Sequence, residues 1–241
     1  MSAFADEIIH LRNVGTWSGG GTPSKAIPEY WDNGDIPWVS PKDMKTFELH
    51  DSQDKITDKA VEASPTKLVP AGSVLMVVRS GILAHTFPVA IARRAVTLNQ
   101  DMKAITPKAG LSSEFLAYQL RAQGPTILNS CTKSGTTVAS VETKQLQALP
   151  FWVPSIELQS KIVEELDKQL TRLDEAVTTL QGIPVTARKD DAPAADQAAT
   201  ANVADMASFS GGGGLIQTIS GCRQQRVLRL HRRGCCRRAR S

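Results

Sequence analysis

Val163, Leu166, Leu170, Leu173, Val177 and Leu180 follow one another at intervals of 3, 4, 3, 4 and 3 residues. No other feature limits the chain so strongly, because that rhythm is a heptad seam and the positions around it are mostly charged or polar. Ser155 stands where an N-cap belongs, Glu157, Glu164 and Glu165 favour the first turns, and Gly182 followed by Pro184 stops the run. The spacing predicts one helix over residues 154–181. At 1.5 Å per residue it would be roughly 40 Å long, more than a domain of ordinary size covers. The seam therefore asks for a second helix, in a partner or a second copy. The alternative is an amphipathic helix packed on its own domain.

The residues before this helix alternate short apolar runs with turn signals, the pattern of an α+β domain with a mixed sheet. Strands are predicted over 36–39, 73–78, 87–92, 96–98, 102–106 and 151–153, which are short and rich in Val, Ile and aromatic residues. Helices are predicted over 57–63, over 113–121 with Phe115, Leu116 and Leu120 on one face, and over 141–149 with Ser140 as cap.

Beyond Gly182 the composition shifts to Ala, Asp and Thr, then to four glycines at 211–214, then to an end with eight arginines and no acids over 222–241. Such a segment buries too little apolar surface to offset its ordering entropy, so 182–241 is expected to be a disordered low-complexity tail. The charge divides at the same place. Residues 1–180 carry 18 Lys+Arg against 20 Asp+Glu, while 181–241 carry 10 against 4. The overall charge of +4 is thus a property of the tail, which is either a nonspecific nucleic-acid contact or a solvated extension. Its change of composition would also fit an altered reading frame.

Several classes of chemistry are excluded by residue type and spacing. No apolar run is long enough to span a bilayer, and the first ten residues lack the basic start and apolar core of a secretory signal, so a cytoplasmic protein with no membrane partner is expected. His10, His50, His85 and His231 are scattered, and Cys222, Cys235 and Cys236 show no CxxC spacing, which leaves no metal site to expect. The stretch from Gly15 to Lys25 is glycine-rich, but Pro23 and the order Ser24-Lys25 defeat a P-loop reading. Ser80 and Ser134 lack the flanking glycines of a nucleophile elbow, and no Asn-Pro-Pro-Tyr-like or Asp-Pro-Pro-Tyr-like stretch marks an amino-methyltransferase. Neither catalysis nor a cofactor is expected.

What remains is five polar loops, each with a small donor or acceptor and a nearby cation. They are Gly19 to Lys25 with Thr22 and Ser24; Ser40 to Lys45 with Lys42; Arg79-Ser80-Gly81; Asn99-Gln100-Asp101; and Lys133-Ser134-Gly135-Thr136-Thr137. Arg reads guanine and Gln reads adenine in the major groove, while Lys, Thr and Ser meet phosphates. The candidate DNA contacts are accordingly Thr22, Ser24, Lys25, Lys42, Lys45, Arg79, Gln100, Lys133, Thr136 and Thr137. Turn chemistry accounts for the same Gly, Ser and Thr residues equally well.

In order along the chain, Gly20-Gly21-Thr22-Pro23-Ser24, Tyr30-Trp31, Asn33-Gly34-Asp35-Ile36-Pro37-Trp38-Val39 and Asp43 form the first part of a longer pattern. It continues through Lys55-Ile56-Thr57, Lys67-Leu68-Val69-Pro70-Ala71-Gly72-Ser73-Val74-Leu75, Arg79-Ser80-Gly81 and Leu98-Asn99-Gln100-Asp101. Ser134-Gly135-Thr136-Thr137, Leu149-Pro150 and Pro154-Ser155-Ile156-Glu157-Leu158-Gln159 complete it. The order resembles the target-recognition domain of specificity subunits of type I restriction-modification systems. The resemblance implies a noncatalytic subunit, with residues 1–153 reading one half of a bipartite site in double-stranded DNA. The helix over 154–181 would be spacer, dimerisation element and docking surface for methyltransferase subunits and, beyond them, restriction subunits. A complete subunit has two such domains and two helices, so this chain looks like half of one, which either pairs through its helix as a homodimer or is a truncated product. The competing reading is an adaptor that acts through the helix without sequence-specific DNA binding.

Overall fold

The computed structural model describes residues 6–133 and 138–181, with side chains described as far as residue 179. In chain order the regular elements are β1 (Glu7–His10), β2 (Gly15–Gly19), β3 (Ile36–Val39), β4 (Glu48–Leu49), β5 (Asp54–Ile56) and α1 (Asp58–Ala63). Next come β6 (Val74–Val77), β7 (Val89–Ala92), β8 (Thr97–Leu98), β9 (Met102–Pro107), α2 (Ser113–Ala122) and α3 (Gly124–Cys131). The last are α4 (Thr143–Ala148), β10 (Pro150–Val153) and α5 (Ile156–Gln181). The chain divides into two compact units, residues 1–175 and 176–241. In the second, the described residues 176–181 are helical.

The main sheet has the order β2-β9-β6-β7-β4, antiparallel except for the parallel pair of β4 and β7. Its centre is where the sequence is most continuously apolar. Every residue of β6 and β7 is buried, as expected of strands covered on both faces, which show apolar runs in place of alternation. One cover is α2, packed on β6, β7 and β9. The Ser112 hydroxyl accepts the Phe115 N–H at 3.2 Å as N-cap, and Phe115, Leu116, Ala117 and Leu120 form the buried face. A three-stranded sheet, β5-β3-β8, stands beside it over a smaller core of Trp38, Ile56 and Ala60 with Tyr30 and Trp31 at its margin. The ends of the domain are tied by β1 and β10, which pair from Glu7↔Val153 to His10↔Pro150.

The mixed sheet and the long helix agree with the sequence reading, and three local differences have physical causes. Residues 15–19 are not loop but edge strand β2, paired with β9 from Gly15↔Pro107 to Gly19↔Lys103. Gly15 serves close approach there, since a Cβ would stand 2.2 Å from the Thr106 carbonyl oxygen. Helix α3 was not expected, because Gly124-Pro125 reads as a breaker. Pro125 instead occupies the first turn, where its missing N–H costs nothing, and Ile127 and Cys131 face the core. The helix predicted over 141–149 starts two residues later, at Thr143, with Glu142 as its N-cap residue. Ser140 does not cap it, being engaged in a bridge with Arg79.

Helix α5 has 26 residues, and Ser155 caps it as expected, accepting the Leu158 N–H at 3.3 Å. Ile162 and Val163 pack on the main core and Leu166 is half-buried. Further along the seam its side chains are exposed: Leu170 is 42% exposed, Leu173 61% and Val177 50%. The Leu180 side chain and the tail over 182–241 lie outside the described residues. Among the described residues no helix is long and apolar enough to cross a membrane.

Candidate nucleic-acid interface

The loop at Asn99-Gln100-Asp101 is the hub on which the other polar loops converge. Asn99 is 6% exposed and builds the loop itself, its carbonyl Oδ1 accepting the Asp101 N–H at 3.0 Å. From the first loop, the Gly21 N–H donates to the Leu98 carbonyl at 2.9 Å and the Thr22 hydroxyl donates to Gln100 Oε1. The second loop follows β3, whose pairing with β8 brings the Asn99 N–H to the Val39 carbonyl at 2.9 Å. From the third, the Val78 and Arg79 N–H groups both donate to the Asp101 carbonyl, at 2.8 and 3.2 Å. The fifth joins through the third: the Ser80 N–H donates to the Ala139 carbonyl at 3.1 Å and the Lys133 N–H to the Ser140 carbonyl at 2.9 Å. Four of the loops, with Lys133 at the start of the fifth, thus form one rim at the ends of β3, β6 and β8 and the start of β9; the rest of the fifth loop, 134–137, lies outside the described residues.

Two tryptophans stiffen the first loop. Trp38 Nε1 donates to the Gly21 carbonyl at 3.0 Å and Trp31 Nε1 to the Ser24 carbonyl at 3.1 Å, while the two indoles meet edge-on at 5.3 Å between centroids. Gly20 is where this loop crosses the hub. A Cβ there would lie 1.7 Å from the Asn99 carbonyl oxygen, so only glycine allows the two strands of backbone to meet.

The candidate contact residues differ in how free they are. Lys25, Lys45 and Lys133 are exposed and enter no ion pair among the described residues. Lys42 is held by Asp54 at 2.8 Å, and that hydrogen bond raises its pKa above the ordinary lysine value. The Ser24 hydroxyl accepts the Ala26 N–H at 3.4 Å, a turn role. Gln100 is exposed, and its side-chain oxygen accepts the Thr22 hydroxyl. Arg79 is 61% exposed, with its guanidinium 3.9 Å from Asp101; that carboxylate oxygen is buried and makes no hydrogen bond among the described residues. Thr136 and Thr137 lie outside the described residues. Sequence reasoning missed Lys103. It sits in β9 opposite Gly19, and its ammonium occupies the space a side chain at Gly19 would fill. Its signal was a lone cation inside a predominantly apolar strand.

The mixed-sheet domain and the long helix that follows it are the architecture of a DNA specificity domain of the type I restriction-modification kind, as the match to that family shows. The chain belongs to the type I restriction modification DNA specificity domain family, whose model matches residues 7–183. It is 44% identical over 174 residues to the specificity subunit of the EcoR124I/EcoR124II type I restriction enzymes of Escherichia coli, covering 72% of this chain and 42% of that one. The MjaIX specificity subunit of Methanocaldococcus jannaschii is 33% identical over 163 residues, covering 66% and 37%. The fold is shared with the crystal structure of the HsdS subunit from Thermoanaerobacter tengcongensis, at a TM-score of 0.55 and 22% identity, covering 73% of this chain and 40% of that one. The chain spans about two fifths of the length of these relatives.

Proposed function

We propose that this chain is a noncatalytic DNA-recognition subunit of a type I restriction-modification system, reading one half of a bipartite target with the rim built on Asn99-Gln100-Asp101. The observation that carries this reading is the convergence of four polar loops and Lys133, which puts exposed Lys25, Lys45, Arg79, Gln100 and Lys133 on one connected framework. Rigid loops can present side chains to base edges, whereas a basic segment without fixed structure meets mainly phosphates. Residues 1–153 form the recognition domain in this reading. Residues 154–181 dock methyltransferase subunits, and through them restriction subunits, in the cytoplasm.

The exposed part of the seam, Leu170, Leu173 and Val177, supports a homodimer through α5. Two identical domains related by a two-fold axis would read an inverted repeat, because the symmetry of the target follows that of the protein.

The test is duplex binding by the full chain with its cognate methyltransferase subunits, compared with a chain shortened by residues 222–241. Both should prefer one short sequence over random duplex. Arg79→Ala and Gln100→Ala should each relax discrimination at one position by about 1–3 kcal/mol. Lys25→Ala, Lys45→Ala and Lys133→Ala should lower affinity for every sequence and reduce the salt slope by about one each. Equal binding of all duplexes by the shortened chain would refute the reading and leave an adaptor acting through the helix.

A further inference from the structure

Asp101 carries a carboxylate oxygen that the hub does not use. Its carbonyl accepts the Val78 and Arg79 N–H groups, and its own N–H goes to Asn99 Oδ1 at 3.0 Å, so its backbone is fully engaged. Of the two carboxylate oxygens, Oδ2 accepts the Asn99 side-chain N–H at 3.4 Å. Oδ1 is buried and accepts no hydrogen bond among the described residues. A buried, charged acceptor left without a donor is costly and calls for an explanation. Arg79 Nη1 stands 3.9 Å from it, close enough for attraction and too far for a hydrogen bond.

The two partners are unequally placed. The Arg79 side chain is 61% exposed and that of Asp101 23%, so the carboxylate lies deeper in the rim than the guanidinium. Lys42 and Asp54 are the contrast: they close to 2.8 Å at nearly equal exposures of 45% and 42%, and the cation is spent on its neighbour. Arg79 is also fixed at its root, by its N–H bond to the Asp101 carbonyl at 3.2 Å and by its antiparallel bridge with Ser140. A guanidinium offers five N–H donors in a planar fork. Two of them reach guanine O6 and N7 together. Another can meet Oδ1 once the group moves by about 1 Å, from 3.9 Å to the roughly 2.8 Å of a charge-assisted hydrogen bond.

We infer that Asp101 is a positioning residue that holds Arg79 for one guanine of the target, its unused Oδ1 gaining a hydrogen bond only when that base is in place. This inference deepens the DNA-reading function proposed above and rests on it. A different base at that position leaves the fork unpaired and Oδ1 without its donor, so the pair discriminates more sharply than an unsupported arginine.

The experiment uses the full chain with its cognate methyltransferase subunits to select a preferred duplex from a random pool. Binding is then measured by fluorescence anisotropy on that duplex and on copies altered at a single guanine. Replacing the guanine that Arg79 reads by 7-deazaguanine removes N7 and should weaken wild-type binding roughly tenfold, whereas inosine, which keeps N7 and O6, should bind nearly as guanine does. Arg79→Ala and Arg79→Lys should lose that difference, the second while keeping its affinity for random duplex, because lysine keeps the charge without the fork. Asp101→Asn keeps the backbone bonds of the hub and removes the charge. It should shrink the difference at least about threefold at that guanine alone, with the thermal midpoint unchanged. Added to Arg79→Ala, the same change should alter nothing further, since the carboxylate acts through the arginine. The inference is overturned, with the DNA reading intact, if Asp101→Asn leaves the difference unchanged or enlarges it, loosens other positions, acts equally without Arg79, or lowers the midpoint, which would assign the carboxylate to the stability of the hub. An Arg79→Ala variant that relaxes no guanine overturns it as well. A wild-type complex that selects no sequence overturns both readings.

Discussion

Replacing Gly20 by alanine should unlock the rim from its hub. The new Cβ would lie 1.7 Å from the Asn99 carbonyl oxygen and 2.5 Å from that of Leu98, and both are backbone atoms, which cannot swing aside as a side-chain end would. The first loop must then lift away. Lifting it breaks the Gly21 N–H to Leu98 bond of 2.9 Å and the Trp38 Nε1 to Gly21 bond of 3.0 Å, the latter buried. Each is worth about 0.5–1.5 kcal/mol net, and the buried indole N–H left without an acceptor adds to the cost, for a total of about 2–4 kcal/mol. In a domain of this size each kcal/mol lowers Tm by about 2–4 °C, so a loss of roughly 4–16 °C is expected. Thermal unfolding followed by tryptophan fluorescence measures it directly, since Trp38 reports on the broken contact. Gly81→Ala is the matched control in the third loop: nothing lies within 4 Å of its Cβ position, and stability should stay within about 0.5 kcal/mol of wild type. A Gly20→Ala variant as stable as Gly81→Ala would refute the reasoning that the loops form one interlocked framework.

Leu173→Asp should leave the thermal midpoint of the isolated chain nearly unchanged, because Leu173 is 61% exposed. The same change should abolish helix-mediated assembly by placing an unpaired charge in the seam; light scattering that shows unaltered assembly would count against a seam interface. Arg93 bonds Glu48 at 2.6 Å and Glu114 at 2.9 Å, joining β4, β7 and α2. The Arg93 hydrogen bond is the largest cause holding Glu48 below its ordinary value of 4.5. Burial pushes Glu114 up, but its own backbone N–H, Arg93 and Ser112 together outweigh that and leave it below 4.5 as well. Both folded pKa values being depressed, their stabilisation is present above pH 4.5 and is lost as pH falls through the lower folded values. Arg93→Met should therefore cost about 1 kcal/mol at pH 7, a modest figure for partly exposed pairs, with the gap to wild type closing under acid in urea titrations. A gap that persists unchanged at pH 3 would contradict the assignment.

Some of this protein was decided by sequence alone because the deciding physics is local. The 3-4 spacing from Val163 onward, the cap at Ser155 and the stop at Gly182 specify α5 without reference to anything distant. The apolar run of β6 likewise announces a strand covered on both faces. The identities of Arg79, Gln100 and Lys133 could be noted as suited to DNA, since side-chain chemistry is a property of the residue. What one-dimensional order does not carry is which groups meet and which are already spent. Only the fold brings Gly20 against Asn99, turns the Ser24 hydroxyl inward to a turn, commits Lys42 to Asp54, and sets Lys103 beside Gly19. It also decided that residues 15–19 are an edge strand, because glycine's low strand preference was overridden by the need for close approach to Thr106. Gln159 shows the division most clearly. In the sequence it is one polar residue in the first turns of a helix; in the structure it is fully buried with its amide hydrogen-bonding capacity met by three backbone partners. Burial and hydrogen-bond satisfaction are relations among residues distant along the chain, and they exist only once the chain has folded.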